Sequence, residues 1–384
     1  MARIAIEHID ASCALPELAR ETARTLIVFW WGDVPVGQVI DEGIPGERID
    51  LERHWAEFAH SPACQRAASR SDHLPRPPLD VSVVICTRDR PDALKTALES
   101  LAHQSLKPRE VIVVDNASAD ARTREVAEAA GVRYVREDRP GLSFARNSGI
   151  HQAAADIIAF TDDDVALHPR WLERLAGALC NSKAVAVTGL VLPAELETEA
   201  QQHFETFWSF NQGYEPIEFD AGFFSADKGS GADVWNIGAG ANMAFHRRAF
   251  DVAGYFDTRL GAGAAGCSED SEFWHRILSL GGTCRYEPSA VVYHFHRRDM
   301  AGLRSQIYQY MKGHAAALLV QYERTGNRGS LRRLLFLLPA YDARRVWRKI
   351  RYGARPENRF LWQEIAGIVA GIGYYLHRGR ARTP

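Results

Sequence analysis

Short apolar runs alternate with amphipathic segments from residue 81 to about residue 298. Four β-branched or otherwise apolar runs have the length of buried strands, at residues 81–86, 111–114, 132–135 and 157–160. The segments between them read as helices, and the first opens with Pro91 and places Leu94, Leu98 and Leu101 on one face. This alternation predicts βαβ units with right-handed crossovers. We therefore expect an α/β fold, with a mainly parallel sheet flanked by helices.

Two further regions flank this segment. In residues 1–75, an apolar run at 26–31 is followed by Gly32 and Asp33 and a second run at 34–40, which predicts a hairpin in a small β-containing domain. The Pro-rich stretch at 73–78 predicts a linker. We accordingly divide the chain into an N-terminal domain at 1–75, a central domain at 80–298 and a basic helical C-terminal region at 299–384.

The C-terminal region combines positive charge with aromatic and apolar residues. From residue 331 onwards, the sequence contains twelve Arg or Lys residues and three acidic residues. An apolar run at 365–376 is shorter than the roughly 20 residues that a spanning helix needs. Two interpretations stay open. The region could lie as an interfacial helix on an anionic membrane, or its helices could pack on the central domain and leave a basic face in water.

Charge and cysteine content narrow the class of partner and compartment. The formal net charge of −2 over 384 residues gives no general attraction to nucleic acid. The six cysteines show no C-x-x-C spacing, which favours a reducing compartment. The first twenty residues lack the continuous apolar stretch of a signal peptide. We expect a cytoplasmic protein, with the inner face of the membrane as the location if the C-terminal region binds lipid.

Polar residues follow three of the predicted strands at the point where each strand ends. They are Thr87, Asp115 and the run Asp162–Asp164. In a parallel sheet the carboxyl ends of the strands form one edge, where ligands bind. Three adjacent carboxylates repel one another and favour a hard cation such as Mg²⁺ or Mn²⁺, which in turn binds diphosphate oxygens. A solvated loop that caps the helix near Pro169 explains the three aspartates equally well.

An ordered set of motifs extends this pattern. The motifs are V81-SVVICTRDR-P91, V111-IVVDNASA-D120, R139-PGLSFARNS-G149, F160-TDD-D164, G238-AGANMA-F245, S268-EDSE-F273 and V291-VY-H294. Together they resemble family 2 inverting glycosyltransferases, which have the GT-A fold, over residues 80–298. Each motif is short, and the specificity of the resemblance comes from their order.

The resemblance implies a role for each residue that matches a family motif. Thr87 and Asp115 match positions that contact the nucleoside base, and Arg88 and Arg146 match positions near the ribose or diphosphate. Asp162 matches the first aspartate of the Asp-x-Asp motif, near the ribose and the metal, and Asp163 could share the metal-binding role of Asp164. Asp164 and His294 match the metal ligands, so the resemblance implies Mn²⁺ or Mg²⁺ as cofactor.

The Glu-Asp motif supplies the expected catalytic group. Asp270 matches the base that deprotonates the acceptor hydroxyl, and Glu269 matches its partner. An N-terminal cap for a helix at 271–280 is the alternative role of this acidic segment. Asn242 and Trp274 are candidates for sugar or acceptor contacts, and a buried amide and a core aromatic are their alternatives.

The resemblance implies inverting, metal-dependent transfer from a nucleotide-diphosphate sugar, with a UDP-sugar as the first expectation. The acceptor would be the hydroxyl of a saccharide or of a lipid-linked saccharide. The alternatives are a nucleotidyltransferase on a similar sheet and a non-catalytic carbohydrate-binding scaffold. The run Gly261–Gly266 fits G-x-G-x-x-G, but it follows no strand; a mobile acceptor loop suits it better than a dinucleotide site.

Overall fold

The computed structural model describes residues 2–69, 80–226, 229–353 and 355–379. The Pro-rich linker predicted at 73–78 lies outside the described residues. The described chain forms a three-stranded N-terminal sheet, a nine-stranded central sheet and a group of C-terminal helices.

The N-terminal sheet packs on the central one. Its elements are β1 (Ala5–Asp10), β2 (Arg24–Trp31), β3 (Val34–Glu42), α1 (Leu51–Ala56) and α2 (Pro62–Ser69). The antiparallel pairing of β2 with β3 confirms the predicted hairpin, while β1 adds a parallel strand on its other side. Leu26, Val28 and Trp30 belong to the same hydrophobic cluster as the central sheet, and Asp33 pairs with Arg170 and Arg174 of that domain.

The central domain holds the alternating elements. They are β4 (Val81–Thr87), α3 (Pro91–Ala102), β5 (Glu110–Asn116), α4 (Arg122–Ala129), β6 (Arg133–Glu137), α5 (Leu142–Gln152), β7 (Ile157–Asp162), β8 (Val165–Leu167), α6 (Trp171–Cys180), β9 (Ala186–Pro193), α7 (Glu199–Trp208), β10 (Ile217–Phe219), α8 (Ala221–Ser225), a 3₁₀ turn (Val234–Ile237), β11 (Asn242–His246), α9 (Arg248–Ala253), α10 (Glu269–Ser279) and β12 (Cys284–His294). The predicted α/β class is confirmed.

Strand register brings the polar strand ends to one edge. The strands lie in the order β10-β12-β9-β11-β7-β4-β5-β6, and β8 pairs with β12. β7, β4, β5 and β6 are parallel neighbours, as the apolar runs predicted. In this register Thr87 lies opposite Asp115, and Cys86 lies opposite Asp162. The antiparallel strand β11, which the sequence did not predict, separates β7 from β9.

The C-terminal region is helical, as expected. It consists of α11 (Met300–Thr325), α12 (Arg328–Arg332), a π-helical segment (Arg333–Leu337), α13 (Leu338–Tyr352), a 3₁₀ turn (Pro356–Asn358), α14 (Leu361–Tyr374) and a second π-helical segment (Tyr375–Gly379). The apolar run at 365–376 falls mostly in α14, which packs closely on α11. A Cβ at Gly371 would come within 2.2 Å of the Lys312 carbonyl oxygen. Among the described helices, none combines the length and apolarity that crossing a membrane requires.

Candidate active site

A cleft of about 1120 Å³ opens at the carboxyl ends of β4 and β7. Nearly all the predicted site residues line it: Thr87, Arg88, Arg146, Asp162, Asp163, Asp164, Glu269, Asp270 and His294. They come from the ends of three strands, from α5 and from the first turn of α10. The fold therefore gathers residues that lie as far apart in the chain as Thr87 and His294.

Asp115, for which the resemblance implied a nucleoside contact, does not line the cleft. Its side chain is fully buried. Its oxygens accept hydrogen bonds from the Ser118 amide at 2.9 Å, the Tyr134 hydroxyl at 2.7 Å and Arg136 at 3.0 Å. The neighbouring Asn116 lines the cleft instead. Because its carboxylate is buried away from the cleft, Asp115 could contact a base only after a local rearrangement.

The acidic turn after β7 is held by residues around β4. Thr87 Oγ1 donates to Asp163 Oδ2 at 2.7 Å. Arg90 Nη1 donates both to Asp163 Oδ1 at 3.0 Å and to Asp164 Oδ2 at 2.9 Å. Burial acts to raise the pKa of Asp164, but the charges of His294 when its ring is protonated, and of Arg90 and Arg297, outweigh burial and lower it. Asp164 is thus an ionised carboxylate that already pairs with the guanidinium group of Arg90.

Arg146 joins the Asp-rich turn to the Glu-Asp motif. Its Nη1 lies 2.5 Å from Glu269 Oε1, and its Nη2 lies 3.4 Å from Asp162 Oδ1. Burial raises the pKa of Asp162 to about 7, an effect that Arg146 opposes and the neighbouring carboxylates reinforce. Because Arg146 is almost fully buried, it binds these two acids rather than projecting freely towards a diphosphate. Arg88, in contrast, is about half exposed at the cleft.

Asp270 lies in the first turn of α10 with its carboxylate on the cleft. The preceding Ser268 has a left-handed backbone, with φ of 68°, and its side chain makes no cap bond. Non-glycine residues carry strain in this region, and such strain is concentrated at functional sites. Gly240 packs beside the carboxylate, since a Cβ there would lie 2.9 Å from Asp270 Oδ2 and 2.8 Å from Arg146 Nη2.

The imidazole rings of His294 and His296 lie next to the acidic turn. His294 Nε2 lies 3.4 Å from Asp164 Oδ1. Its Nδ1 lies 3.0 Å from Nδ1 of His296, whose Nε2 lies 3.2 Å from Glu205 Oε2. Burial lowers the pKa of His294 to about 4, so the ring is neutral at neutral pH. Because the Glu205 carboxylate accepts, the favoured arrangement has His296 Nε2–H donating to Glu205 and His294 Nδ1–H donating to His296.

The position of the protons on His294 and His296 bears on whether these residues fit a divalent metal. It leaves the lone pair of His294 Nε2 facing a carboxylate oxygen of Asp164, an arrangement that a cation between them would stabilise. A neutral imidazole and an ionised carboxylate are both metal ligands. No three such side chains in the described part of the chain already surround a common point. The pair therefore fits a metal whose other ligands come from water and a diphosphate.

The sequence interpretation did not identify two residues that shape the cleft, Arg90 and Gly240, and it proposed two buried residues as sugar or acceptor contacts. Arg90 and Gly240 stood within the quoted motifs, but no spacing distinguished them from their neighbours. Asn242 is a buried amide that bonds to Trp171 Nε1 and to two carbonyl oxygens. Trp274 is a fully buried core aromatic. Both correspond to the alternatives considered for them, and neither lies on the cleft.

The far end of the cleft lies beside the C-terminal region. Ala262, Gly263 and Gly266 of the Gly-rich run border it. Trp235 lines it too, with the guanidinium of Arg333 4.6 Å above the ring. Leu338, the first residue of α13, also faces the cleft. A molecule that enters from this end would therefore pass the C-terminal helices.

The fold is of the GT-A type. It resembles a mannosyltransferase, PcManGT from Pyrobaculum calidifontis, solved in complex with GDP-Man and Mn²⁺. The TM-score is 0.52 at 18% identity, over 86% of this chain and 95% of that one. The model of glycosyl transferase family 2 matches residues 82–253. Over this segment the chain is similar to glycosyl transferase family 2.

Curated relatives agree with this placement. The chain is 28% identical over 193 residues to a glucosyl-dolichyl phosphate glucuronosyltransferase of Haloferax volcanii, which covers 48% of this chain and 58% of that protein. It is 28% identical over 258 residues to a pre-mycofactocin glycosyltransferase of Mycobacterium tuberculosis, covering 65% of this chain and 50% of that protein. The chain thus spans about half the length of these relatives.

Proposed function

We propose that this chain is an inverting, metal-dependent glycosyltransferase that moves a sugar from a nucleotide-diphosphate sugar to a hydroxyl acceptor. The observation that carries the proposal is the single cleft shared by Asp164, His294 and Asp270. This chemistry needs a bound metal ion, for which Asp164 and His294 are the two proposed protein ligands, and a carboxylate base. The similarity of residues 82–253 to glycosyl transferase family 2 supports sugar transfer over nucleotidyl transfer and over a non-catalytic scaffold.

Asp270 is the proposed base. Its carboxylate would accept the proton of the acceptor hydroxyl while that oxygen attacks the anomeric carbon, and the nucleotide diphosphate would leave from the opposite face, which inverts the configuration. Glu269 would hold the turn in place through Arg146. Burial raises the pKa of Glu269, an effect that Arg146 opposes and the Asp270 charge reinforces.

Asp164 and His294 would hold Mn²⁺ or Mg²⁺, with Asp162 and Asp163 beside them. When bound, the metal neutralises charge on the departing diphosphate. Thr87 and Arg88 would contact the nucleotide, together with Asp115 if its internal bonds open. The Mn²⁺ in the Pyrobaculum structure supports this choice of metal, and its GDP-Man supports a nucleotide sugar. We retain a UDP-sugar as the first donor to test and GDP-sugars as the second.

The acceptor would be a saccharide or a lipid-linked saccharide. The name of the Haloferax relative contains a dolichyl phosphate sugar, which supports the lipid-linked class. We propose that the protein works in a reducing compartment, on the cytoplasmic side of a membrane. The six free cysteines are consistent with this location.

A donor screen tests the proposal. The protein is mixed with UDP-, GDP- and dTDP-sugars with and without Mn²⁺, and thermal unfolding, binding calorimetry and donor turnover are measured. We expect Mn²⁺-dependent stabilisation by one donor and turnover of that donor. Asp164→Asn should lower Mn²⁺-dependent donor affinity roughly tenfold or more, while the exposed Asp120→Asn should not. Equal affinity in the two variants would refute the metal site, and donor binding without turnover in the presence of acceptors would favour a scaffold.

A further inference from the structure

The helix α13 turns its polar side towards the protein and an apolar stripe towards solvent. On the inner side, Arg345 donates to Glu364 at 2.5 and 2.8 Å and to the Asn358 side chain at 3.0 Å. Asp342 is the buried residue of this helix. A helix that packs on a soluble core normally buries its apolar stripe and exposes its charges. In α13 this order is reversed.

The outward stripe runs along most of the length of α13. Ala340, Ala343, Trp347 and Ile350 follow the three- and four-residue spacing of one helix face. All four are exposed, with Trp347 at 58% and Ile350 at 80%. Exposed apolar patches of this kind mark interaction sites rather than ordinary surface. The stripe therefore requires a partner.

Positive charge follows the stripe along one side. Arg344, Arg348 and Arg351 are exposed, and each lies one position after a member of the stripe. The one acidic residue of α13, Asp342, is buried on the opposite side. An apolar stripe that contains Trp, bordered by arginines, matches the surface of an anionic bilayer, where the ring enters the interface and the guanidinium groups meet lipid phosphates. Two copies of this basic face would repel each other.

The patch begins at the rim of the cleft. Between Arg333 and Leu338, which both line the cleft, Leu335 and Phe336 are exposed at 54% and 66%. The apolar surface thus runs from the cleft end of the π-helical segment along α13. A molecule held in the bilayer could reach the cleft from this side without leaving the interface.

We propose that α13 and residues 335–337 dock on an anionic lipid surface and present the far end of the cleft to it. The acceptor would then be lipid-linked, a consequence that rests on the proposed glycosyl transfer. The docking itself depends only on the α13 surface. The interfacial element is therefore α13, and not the apolar run at 365–376 that the sequence suggested. Val369 and Leu376 of that run are also exposed, but the run contains no Arg or Lys to meet lipid phosphates.

Vesicle flotation of the full chain tests the docking. One set of vesicles contains phosphatidylcholine alone, and the other contains equal parts of phosphatidylcholine and phosphatidylserine. We expect flotation with the anionic vesicles and little with the neutral ones. The Arg344→Gln, Arg348→Gln double variant should reduce partitioning on the order of thirtyfold. The Trp347→Ser, Ile350→Ser double variant should reduce it roughly tenfold or more.

A matched control lies on α9, where Val252 is 71% exposed and Arg248 is also exposed. The Val252→Ser, Arg248→Gln variant should float like the wild type. Equal flotation with both vesicle types, or wild-type flotation of the α13 variants, would overturn the proposal. Self-association that the α13 variants abolish would overturn it in favour of a second copy. Mn²⁺-dependent donor affinity, measured without vesicles, reports separately on the proposed transfer.

Discussion

Nδ1 of His294 lies 3.0 Å from Nδ1 of His296. Two facing ring nitrogens can hydrogen-bond only if one carries the proton, and Glu205 on the other side of His296 decides which one does. Glu205 therefore controls the lone pair that His294 presents to Asp164, although Glu205 itself lies away from the cleft. Such partners usually orient metal-binding histidines and tune their affinity.

Glu205→Gln should weaken metal binding, because a neutral amide can accept or donate and no longer selects one tautomer of His296. We expect Mn²⁺ affinity in the presence of a nucleoside diphosphate to fall roughly tenfold or more. Isothermal calorimetry or manganese EPR measures it. The exposed Glu218→Gln, which removes a surface partner of Arg285, should bind Mn²⁺ as the wild type does. Unchanged affinity in Glu205→Gln would show that the histidine pair has no role in the metal site.

Asp270→Asn should remove the proposed base while retaining the shape of the site. We expect the transfer rate to fall roughly 10²–10⁴-fold, with donor affinity in the presence of Mn²⁺ close to that of the wild type. Rates from sugar transfer and affinities from calorimetry separate the two effects. Asp251→Asn, on the surface-packed helix α9, serves as control. Transfer at the wild-type rate would exclude Asp270 as the base.

Gly240→Ala should disturb the site through one added methyl group. The new Cβ would lie 2.8 Å from Arg146 Nη2 and 2.9 Å from Asp270 Oδ2, so both side chains must shift. We expect transfer to fall roughly tenfold or more and unfolding free energy to fall by ~1–3 kcal/mol. Gly177→Ala is the matched control, since a Cβ there meets nothing within 4 Å. If the two variants behave alike, the close packing around Gly240 is unimportant.

His275 should make stability depend on pH. The ring lies buried in α10, neither nitrogen has a hydrogen-bond partner among the described residues, and burial, assisted by Arg276, lowers its pKa to about 4. Between the ordinary histidine pKa and this value, only the unfolded chain takes up the proton. The stability that depends on the neutral His275 ring is therefore fully present above the ordinary histidine pKa. It is lost as the pH falls from that value towards 4.

Chemical denaturation from neutral pH down to about pH 4 measures this loss. The difference between wild type and His275→Phe should change by roughly 2–4 kcal/mol across that range, with the variant flatter. His103→Asn, at an exposed position on the surface, should follow the wild type. A pH profile in His275→Phe that parallels the wild type would show that the buried ring does not contribute.

The strands and the acidic strand end could be predicted because they depend on local pattern. Apolar runs of strand length gave β4 to β7, and their register alone brings Thr87 and Asp162 to one edge. Contacts between distant residues could not be predicted in this way. Glu205 and His296 are 91 positions apart, and no spacing in the sequence links them.

For Asp115 the sequence predicted the position on the strand but not the partners of the side chain. Its motif placed it at the nucleotide, and its strand does end at the correct edge, but Tyr134 and Arg136 on the adjacent strand already bind its carboxylate. The position of a residue along a strand was therefore predictable, whereas the direction and partners of its side chain depended on neighbours that the pattern does not specify.

The N-terminal sheet shares its apolar face with the central domain. Leu26, Val28 and Trp30 lie in one cluster with Leu190 and Leu192 of β9. A fragment cut to residues 82–253, the part that the family model matches, would leave β9 without this cover and would also lose β12. Such a fragment should aggregate on expression, so truncation is unsuited to isolating the proposed donor-binding half of this protein.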